Sequence, residues 1–350
     1  MEKNFNLKVL NIIAGSKYGG AEIFFERLAK SFEKNRNIKQ KIILRSANDR
    51  FANLKKIIPD VEQIKLFNNI NLFCHFKIES IIKKFGPDII LTWMNRASKL
   101  LPYKKFKNEV RVGRLGGYYK IKNYLKCDYL VTNTLDIRKY VISQGWDNKK
   151  VEFIPNFVPE NKSIVNKSTN KNKIKLLCMG RFHENKAFET LIRGMSFLPS
   201  YELSIVGSGQ LKGLYELLIK KYKLSNRVKI YNWSNDISEF LNKSSILVCP
   251  SRHEPFGNII IDGWAHKIPV VASNTGGPAK MIKHKYNGMK FEKDNVFDLT
   301  TKIKEIVSNP ILKNKIIKNG YNSFKINYSE DVIVQKYISF FNKISRICAE

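Results

Sequence analysis

Two widely separated stretches of the chain share one pattern: a short apolar run that stops at glycine and gives way to helical periodicity. The run Lys8 to Ala14 (KVLNIIA) ends in the turn Gly15-Ser16-Lys17-Tyr18-Gly19-Gly20. Apolar residues then recur at Ala21, Phe24, Phe25, Leu28, Ala29 and Phe32, and this i, i+3, i+4, i+7, i+8 spacing predicts a helix with one buried face. The run Ile174 to Met179 (IKLLCM) ends in GRFHENK, with a helix predicted near Lys186 to Leu198. Strands that lead directly into helices must find parallel partners through crossovers, so the chain is constrained to α/β sheets. Further strand-like runs fit that frame: Lys41 to Leu44, Asp88 to Trp93, Val110 to Val112 and Asp128 to Thr132, then Glu202 to Val206, Val228 to Tyr231, Ile246 to Cys249 and Val270 to Ala272. A helix near Leu211 to Tyr222 and another from about Asn258 fall among the later ones. Between the two halves, Pro159 to Lys173 (PENKSIVNKSTNKNK) has no periodicity and almost no large apolar side chain, and reads as a linker.

The expected organisation is therefore an N-terminal doubly wound domain over 1–158, a linker over 159–173, a second doubly wound domain over 174–330, and a helical tail over 331–350 packing back across the domains. Ligands of such sheets bind outside the carboxyl ends of the strands, so facing domains would form a cleft. With 350 residues and 43% apolar content the chain has material for two cores. Lys and Arg number 62 against 30 Asp and Glu, a net charge of +32. That excess points to an anionic partner: nucleic acid, an acidic membrane surface or a phosphorylated substrate. An A/T-biased coding sequence, rich in Lys, Asn and Ile codons, is the alternative source of the charge. The lysines are spread rather than blocked, and no nucleic-acid-binding motif occurs, so no specific nucleic acid is expected.

The cysteines, Cys74, Cys127, Cys178, Cys249 and Cys348, are odd in number and widely spaced, as buried thiols of a reducing compartment would be. No C-x-x-C or H-E-x-x-H spacing occurs, and neither a metal nor a cofactor is expected. No apolar run approaches the ~18 residues of a membrane span, and the apolar start carries no cleavage pattern. A cytoplasmic protein, peripheral on the cytosolic face of the inner membrane, is the expectation.

Motif-sized features fall at four strand ends: GGAE at 19–22, GRFHENK at 180–186, VGSG at 206–209, and SRHEPFGNIIIDGWAHKIPVVASNTGGPAKMI from Ser251 onward. On the residues alone each has a plain reading. Glycine after a strand is a tight turn, Arg181 with Lys186 is a solvated helix start, and Glu254 is an acid favoured by the dipole at the start of a helix. Taken together and in this order, with IPNFV at 154–158, they resemble the retaining nucleotide-sugar glycosyltransferases of the GT-B fold, family 4. The long stretch is similar to that family's E-x7-E signature with its PVVA strand and Gly-Gly turn. Arg114 to Trp146 is similar to the acceptor-domain text of members that build bacterial lipopolysaccharide or surface polysaccharide.

The resemblance implies two Rossmann-like doubly wound domains facing a central cleft, and transfer of a sugar from a nucleoside diphosphate donor, UDP-linked in the family's pattern, to a glycan or lipid-linked acceptor with retention. It implies donor contacts from Gly19, Gly20, Arg181, Lys186, Gly207, Gly257, Asn258 and Asp262, and acceptor contacts from Asn95, Arg96 and Arg114. Catalytic roles fall to Glu254 on the hexose hydroxyls and to Arg181 and Lys186 on the diphosphate. That fits the chemistry, since loss of a diphosphate requires stabilisation of developing negative charge. The sequence departs from the family at Asp262, one methylene shorter than the second glutamate, at Ala187, where glycine is usual, and at Lys280, where an acid is frequent. No counterpart of the first-domain histidine follows Trp93. His75 reads as a surface or packing residue, and His253 either touches the site or fills the turn. The alternatives are a nucleotide-sugar epimerase of the same fold and, in another class, a basic nucleic-acid-binding protein. A basic cluster, Lys99, Lys104, Lys105, Lys107, Arg111, Arg114, Lys120, Lys122 and Lys126, is expected to face an anionic membrane.

Overall fold

Val, Ile and Leu dominate the strand text, and the central strands are accordingly buried on both faces, as parallel sheets covered by helices require, while the edge strands are partly exposed. The computed structural model describes residues 7–15, 19–45, 48–64, 72–160, 173–233 and 237–347. Most of the expected linker (161–172), the turn residues 16–18 and Cys348 lie outside the described residues.

One unit takes in the chain up to Phe157 and again from Glu330. Its elements run β1 (Leu7–Ile13), α1 (Gly20–Lys34), β2 (Ile38–Arg45), α2 (Asn48–Lys55), β3 (Val61–Ile64), α3 (Leu72–Phe85), β4 (Ile89–Trp93), α4 (Met94–Lys99), β5 (Val110–Leu115), β6 (Tyr129–Thr132), α5 (Leu135–Ser143) and β7 (Val151–Phe153). The strands pair in parallel in the order β3-β2-β1-β4-β5-β6-β7. The order reverses between β1 and β4. Every residue of β4 and β5 is buried.

The other unit spans Val158–Ser329. It runs β8 (Ile174–Arg181), α6 (Phe188–Gly194), β9 (Tyr201–Ser208), α7 (Lys212–Lys221), β10 (Val228–Tyr231), α8 (Ser238–Lys243), β11 (Ile246–Cys249), α9 (Asn258–Ala265), β12 (Val270–Ser273), α10 (Gly276–Met281), β13 (Met289–Phe291), α11 (Val296–Ser308) and α12 (Pro310–Asn327). Its parallel order is β10-β9-β8-β11-β12-β13, reversing between β8 and β11.

The last helix, α13 (Glu330–Ile347), belongs to the first unit. Its Ile333, Tyr337, Phe341 and Ile344 join Phe24, Phe25, Leu28 and Phe32 of α1 in one core. Phe32 meets Tyr337 edge to face, with ring centroids 6.0 Å apart, and Phe341 at 6.1 Å. Burying a large side chain of this kind stabilises by about 1.5–3 kcal/mol, so the C-terminal helix is part of the first unit's core. Ser31 Oγ donates to Glu330 Oε1 at 2.8 Å and fixes the helix start.

Candidate donor site at the second switch point

Strand β8 lies between β9 and β11, and the loops leaving β8 and β11 diverge at this reversal of strand order. A pocket outside the carboxyl ends is the expected consequence. Gly180 and Arg181 close β8 opposite Gly207 and Ser208 of β9. Gly180 has φ +152°, a conformation open to glycine, and a Cβ there would stand 3.4 Å from Lys186 Cε. The lysine stem lies across the strand end in ordinary contact with this position. The chain then turns: Asn185 N–H donates to His183 Nδ1 at 3.2 Å and Lys186 N–H to His183 O at 2.8 Å. Ala187 takes the left-handed conformation, φ +49°, before α6 begins.

The second loop, from β11, is held from below. Ser251 O accepts from Thr275 Oγ1 at 3.0 Å and from Ser273 Oγ at 2.5 Å. Gly277 N–H donates to Glu254 O at 2.8 Å. A Cβ on Gly276 would collide with Glu254 O and one on Gly277 with Phe256 O, so the Gly-Gly turn is the surface on which the Glu254 loop rests.

These two loops bring Lys186 Nζ and Glu254 Oε2 into a hydrogen-bonded ion pair, with the side chains 25% and 13% exposed. Burial works against the Lys186 ammonium, but the Glu254 carboxylate outweighs it and its pKa is held above the ordinary lysine value. Arg181 is exposed and its charge acts on Lys186 from nearby. In the same loop Gly257, φ +103°, opens α9 with no side-chain cap, directing main-chain N–H groups and roughly half a positive charge outward. Asp262 lies within α9, 7% exposed, with its main-chain carbonyl taken by His266 Nδ1 at 2.8 Å. His253 is exposed, its N–H pointing to Asn185 O at 3.3 Å. Behind the site the Cys249 thiol is buried and pushed up to about 11 by that burial, an inert packing group.

Sequence reasoning thus placed Arg181, Lys186, Glu254, Gly257, Asn258 and Asp262 at one switch point, and the structure brings Lys186 and Glu254 into contact. Gly207 is fixed as glycine by packing at the same strand end. It faces Gly180 across the strands, where a Cβ would meet Gly180 O. Sequence reasoning missed Ser251, Ser273 and Thr275, which support the loop, and Arg252, whose partners are far away in sequence.

In the first unit, Gly19 and Gly20 open α1 after β1, and Asn95 and Arg96 follow β4, so these four flank its own switch point. Arg96 is exposed and Asn95 half-buried. The expectation for Arg114 needs correction. It is 1% exposed, its guanidinium over the rings of Phe24 at 4.5 Å and Trp93 at 4.7 Å, with Nε donating to Tyr337 Oη at 3.0 Å and Nη2 to Asn156 Oδ1. It is a packing group. Arg111 likewise leaves the basic surface: it is buried against Glu109 and donates to Pro102 O at 2.6 Å and Lys104 O at 2.7 Å. Lys99, Lys104, Lys105, Lys107, Lys120 and Lys122 remain exposed. No helix among the described residues is long and apolar enough to cross a membrane.

Residues 160–323 match the family described as Glycosyl transferases group 1. The second unit belongs to that family. The chain is 28% identical over 332 residues to the lipopolysaccharide core biosynthesis glycosyltransferase LpsE of Rhizobium meliloti, covering 92% of this chain and 95% of the relative. It is 27% identical to LpsD of the same organism, covering 96% and 98%. The fold is GT-B: a glycosyltransferase from Rickettsia africae superposes with a TM-score of 0.80 at 22% identity over 97% of this chain and 98% of that one. HepE of Anabaena, crystallised with UDP and glucose, gives 0.80 at 17% identity over 96% and 100%.

Proposed function

We propose that the chain is a retaining glycosyltransferase that moves a sugar from a UDP-linked donor to a glycan or lipid-linked acceptor in the building of lipopolysaccharide or another surface polysaccharide. The observation that carries this reading is the Lys186–Glu254 pair at the switch point beside the uncapped start of α9. An ammonium has three donors and a carboxylate about four acceptor positions, so each keeps capacity for a ligand after meeting the other. Lys186, Arg181 and the α9 N–H groups stabilise charge on a departing diphosphate. Glu254 accepts from the hexose hydroxyls, and Asp262 from the ribose. With retention on one face of the sugar, the leaving phosphate takes the acceptor's proton. The lipopolysaccharide roles in the names of LpsE and LpsD support the pathway, and the UDP and glucose held by HepE support the donor class.

Incubation with a panel of nucleotide sugars tests the reading. Slow release of the nucleoside diphosphate from one UDP-sugar, accelerated by lipopolysaccharide core acceptors, is expected; no turnover of any donor overturns it. The exposed lysines of the first unit support attachment to anionic lipid, at about 1 kcal/mol for each residue that reaches the surface. Salt-sensitive sedimentation with acidic but not neutral vesicles is the expected result, and equal partitioning to both assigns the charge to coding bias.

A further inference from the structure

Arg252 stands two residues before Glu254, yet its side chain turns back into the protein. Nη1 lies 2.6 Å from Glu189 Oε1 and donates to Glu184 O at 2.9 Å, while Nε lies 2.8 Å from Asp294 Oδ1. Its main-chain N–H donates to Asn185 O at 2.8 Å. Glu184, Asn185 and Glu189 bracket Lys186 on both sides. Asp294 also accepts from Thr190 Oγ1 at 3.4 Å, so it holds the same segment from the far side.

The segment has reason to be held. Ala187 is in the left-handed conformation, which a residue with a Cβ keeps only where its surroundings impose it. The network is poorly placed to act chiefly on stability. Arg252 is 35% and Asp294 39% exposed, and a pair this open to water contributes little to a fold, although Glu189, at 13%, is more sheltered.

We infer that Arg252 is a positioning residue that seats the Lys186 turn on the Glu254 loop, so that ammonium and carboxylate meet the donor as one preformed pair. The inference rests on the reading of Lys186 and Glu254 as donor ligands. It predicts that the effect of losing Arg252 passes through Lys186.

A double-mutant cycle on the full chain tests it, with Arg252→Ala, Lys186→Ala and the double variant compared by kcat/KM and by calorimetric UDP affinity. Misplacing a site group by a fraction of an ångström gives an expected loss of about tenfold for Arg252→Ala in the native background. In the Lys186→Ala background the loss should shrink below about twofold, since the two substitutions then remove the same interaction. Arg252→Lys should recover part of the activity, because an ammonium can hold one acid but not reproduce the fork. Equal fold losses in both backgrounds would overturn the inference. Should Arg252→Ala melt like an unfolded chain, Asp294→Asn and Arg252→Lys take its place in the same cycle, with the same non-additivity expected. A native chain that neither binds UDP nor turns over any nucleotide sugar overturns the donor-site reading, and the inference with it. An active chain with an additive cycle removes Arg252 alone.

Discussion

The two units share a 3-2-1-4-5-6 strand order, to which the first adds a seventh strand, and build their switch points from different materials. In the second, β8 and β11 end in loops stitched by charge: Lys186 to Glu254, and Arg252 to Glu189 and Asp294. In the first, β1 and β4 end in shape. Met94 stands in the left-handed conformation at the end of β4, and a Cβ on Gly15 would lie 3.0 Å from its Cε. The Glu22 carboxylate is folded against Gly15 and Gly19, 5% exposed. Arg114, at the end of the neighbouring β5, is sealed into an aromatic box with Phe24 and Trp93, while Arg96, just after β4, is exposed. Charges left able to meet a ligand specify an anion; a fitted apolar edge specifies contour.

Removing charge from the second switch point should give the largest effect. Lys186→Ala or Glu254→Gln is expected to lower kcat by about 10²- to 10³-fold, the scale of losing one preorganised group at a developing charge. For Glu254→Gln, kcat and kcat/KM should fall together, as for a contact made in the transition state. Turnover within twofold of native in either variant would erase the contrast between the units. The pH dependence has a definite sign. The Lys186 pKa is raised in the folded chain, so its contribution to stability is complete below the ordinary value of 10.5 and is lost as the pH rises through the higher folded value. The alkaline limb of a denaturation profile should therefore be shallower in Lys186→Met.

Next in size is the first unit's aromatic box. If Arg114 is a packing group, Arg114→Ala should lower the unfolding free energy by about 3 kcal/mol, comparable with truncating a large core side chain. The acceptor KM measured below the melting range should stay within twofold. A rise in acceptor KM with unchanged melting would return Arg114 to the ligand and make the two switch points more alike.

These outcomes bear on what the sequence could convey. On local context alone Lys186 and Glu254 read as a solvated helix start and a helix-start acid; only the resemblance to a family put them in one site, and the structure brings their side chains together. Most strands were legible as apolar runs between turns, although β3 (Val61–Ile64), where VEQI is half polar, and the three-residue strands β7 and β13 were missed. Arg114 and Arg111 were misread because Arg in a strand of alternating apolar text carries no mark of burial. Only the arrival of Tyr337 from α13 and of Asn156 closes the box around Arg114. The Arg252 network was invisible for a related reason, since Glu189 reaches it from the start of α6 and Asp294 from the turn before α11, with no fixed spacing.

Asp262 gives a smaller effect. At 7% exposure within α9 it has little room for a longer side chain. Asp262→Glu should therefore raise the donor KM by about tenfold, the size of one misplaced methylene in a fitted pocket, with kcat within twofold. Asp262→Asn should raise the donor KM in the same direction. An improved donor KM in Asp262→Glu would mean that the ribose is held at too long a reach, and that the second switch point is less finished than its charge pairs indicate.

The smallest expected effect falls on Ala187, where the second switch point borrows the backbone strain that the first shows at Met94. A left-handed residue with a Cβ costs roughly 1–2 kcal/mol relative to glycine in the folded chain. Glycine in turn loses about 0.4–1 kcal/mol through the greater freedom of the unfolded chain. Ala187 is fully buried, so glycine also removes a methyl from contact and takes back part of the remaining gain. The balance for Ala187→Gly is a stabilisation of about 0.5 kcal/mol or less, read as a small rise in the melting temperature of the second unit. The activity result is the more telling one. If the Arg252 network alone seats the Lys186 turn, relaxing the strain leaves kcat within twofold; if the strain itself presses Lys186 toward Glu254, kcat falls while stability rises, and charge and shape would then act together at the second switch point.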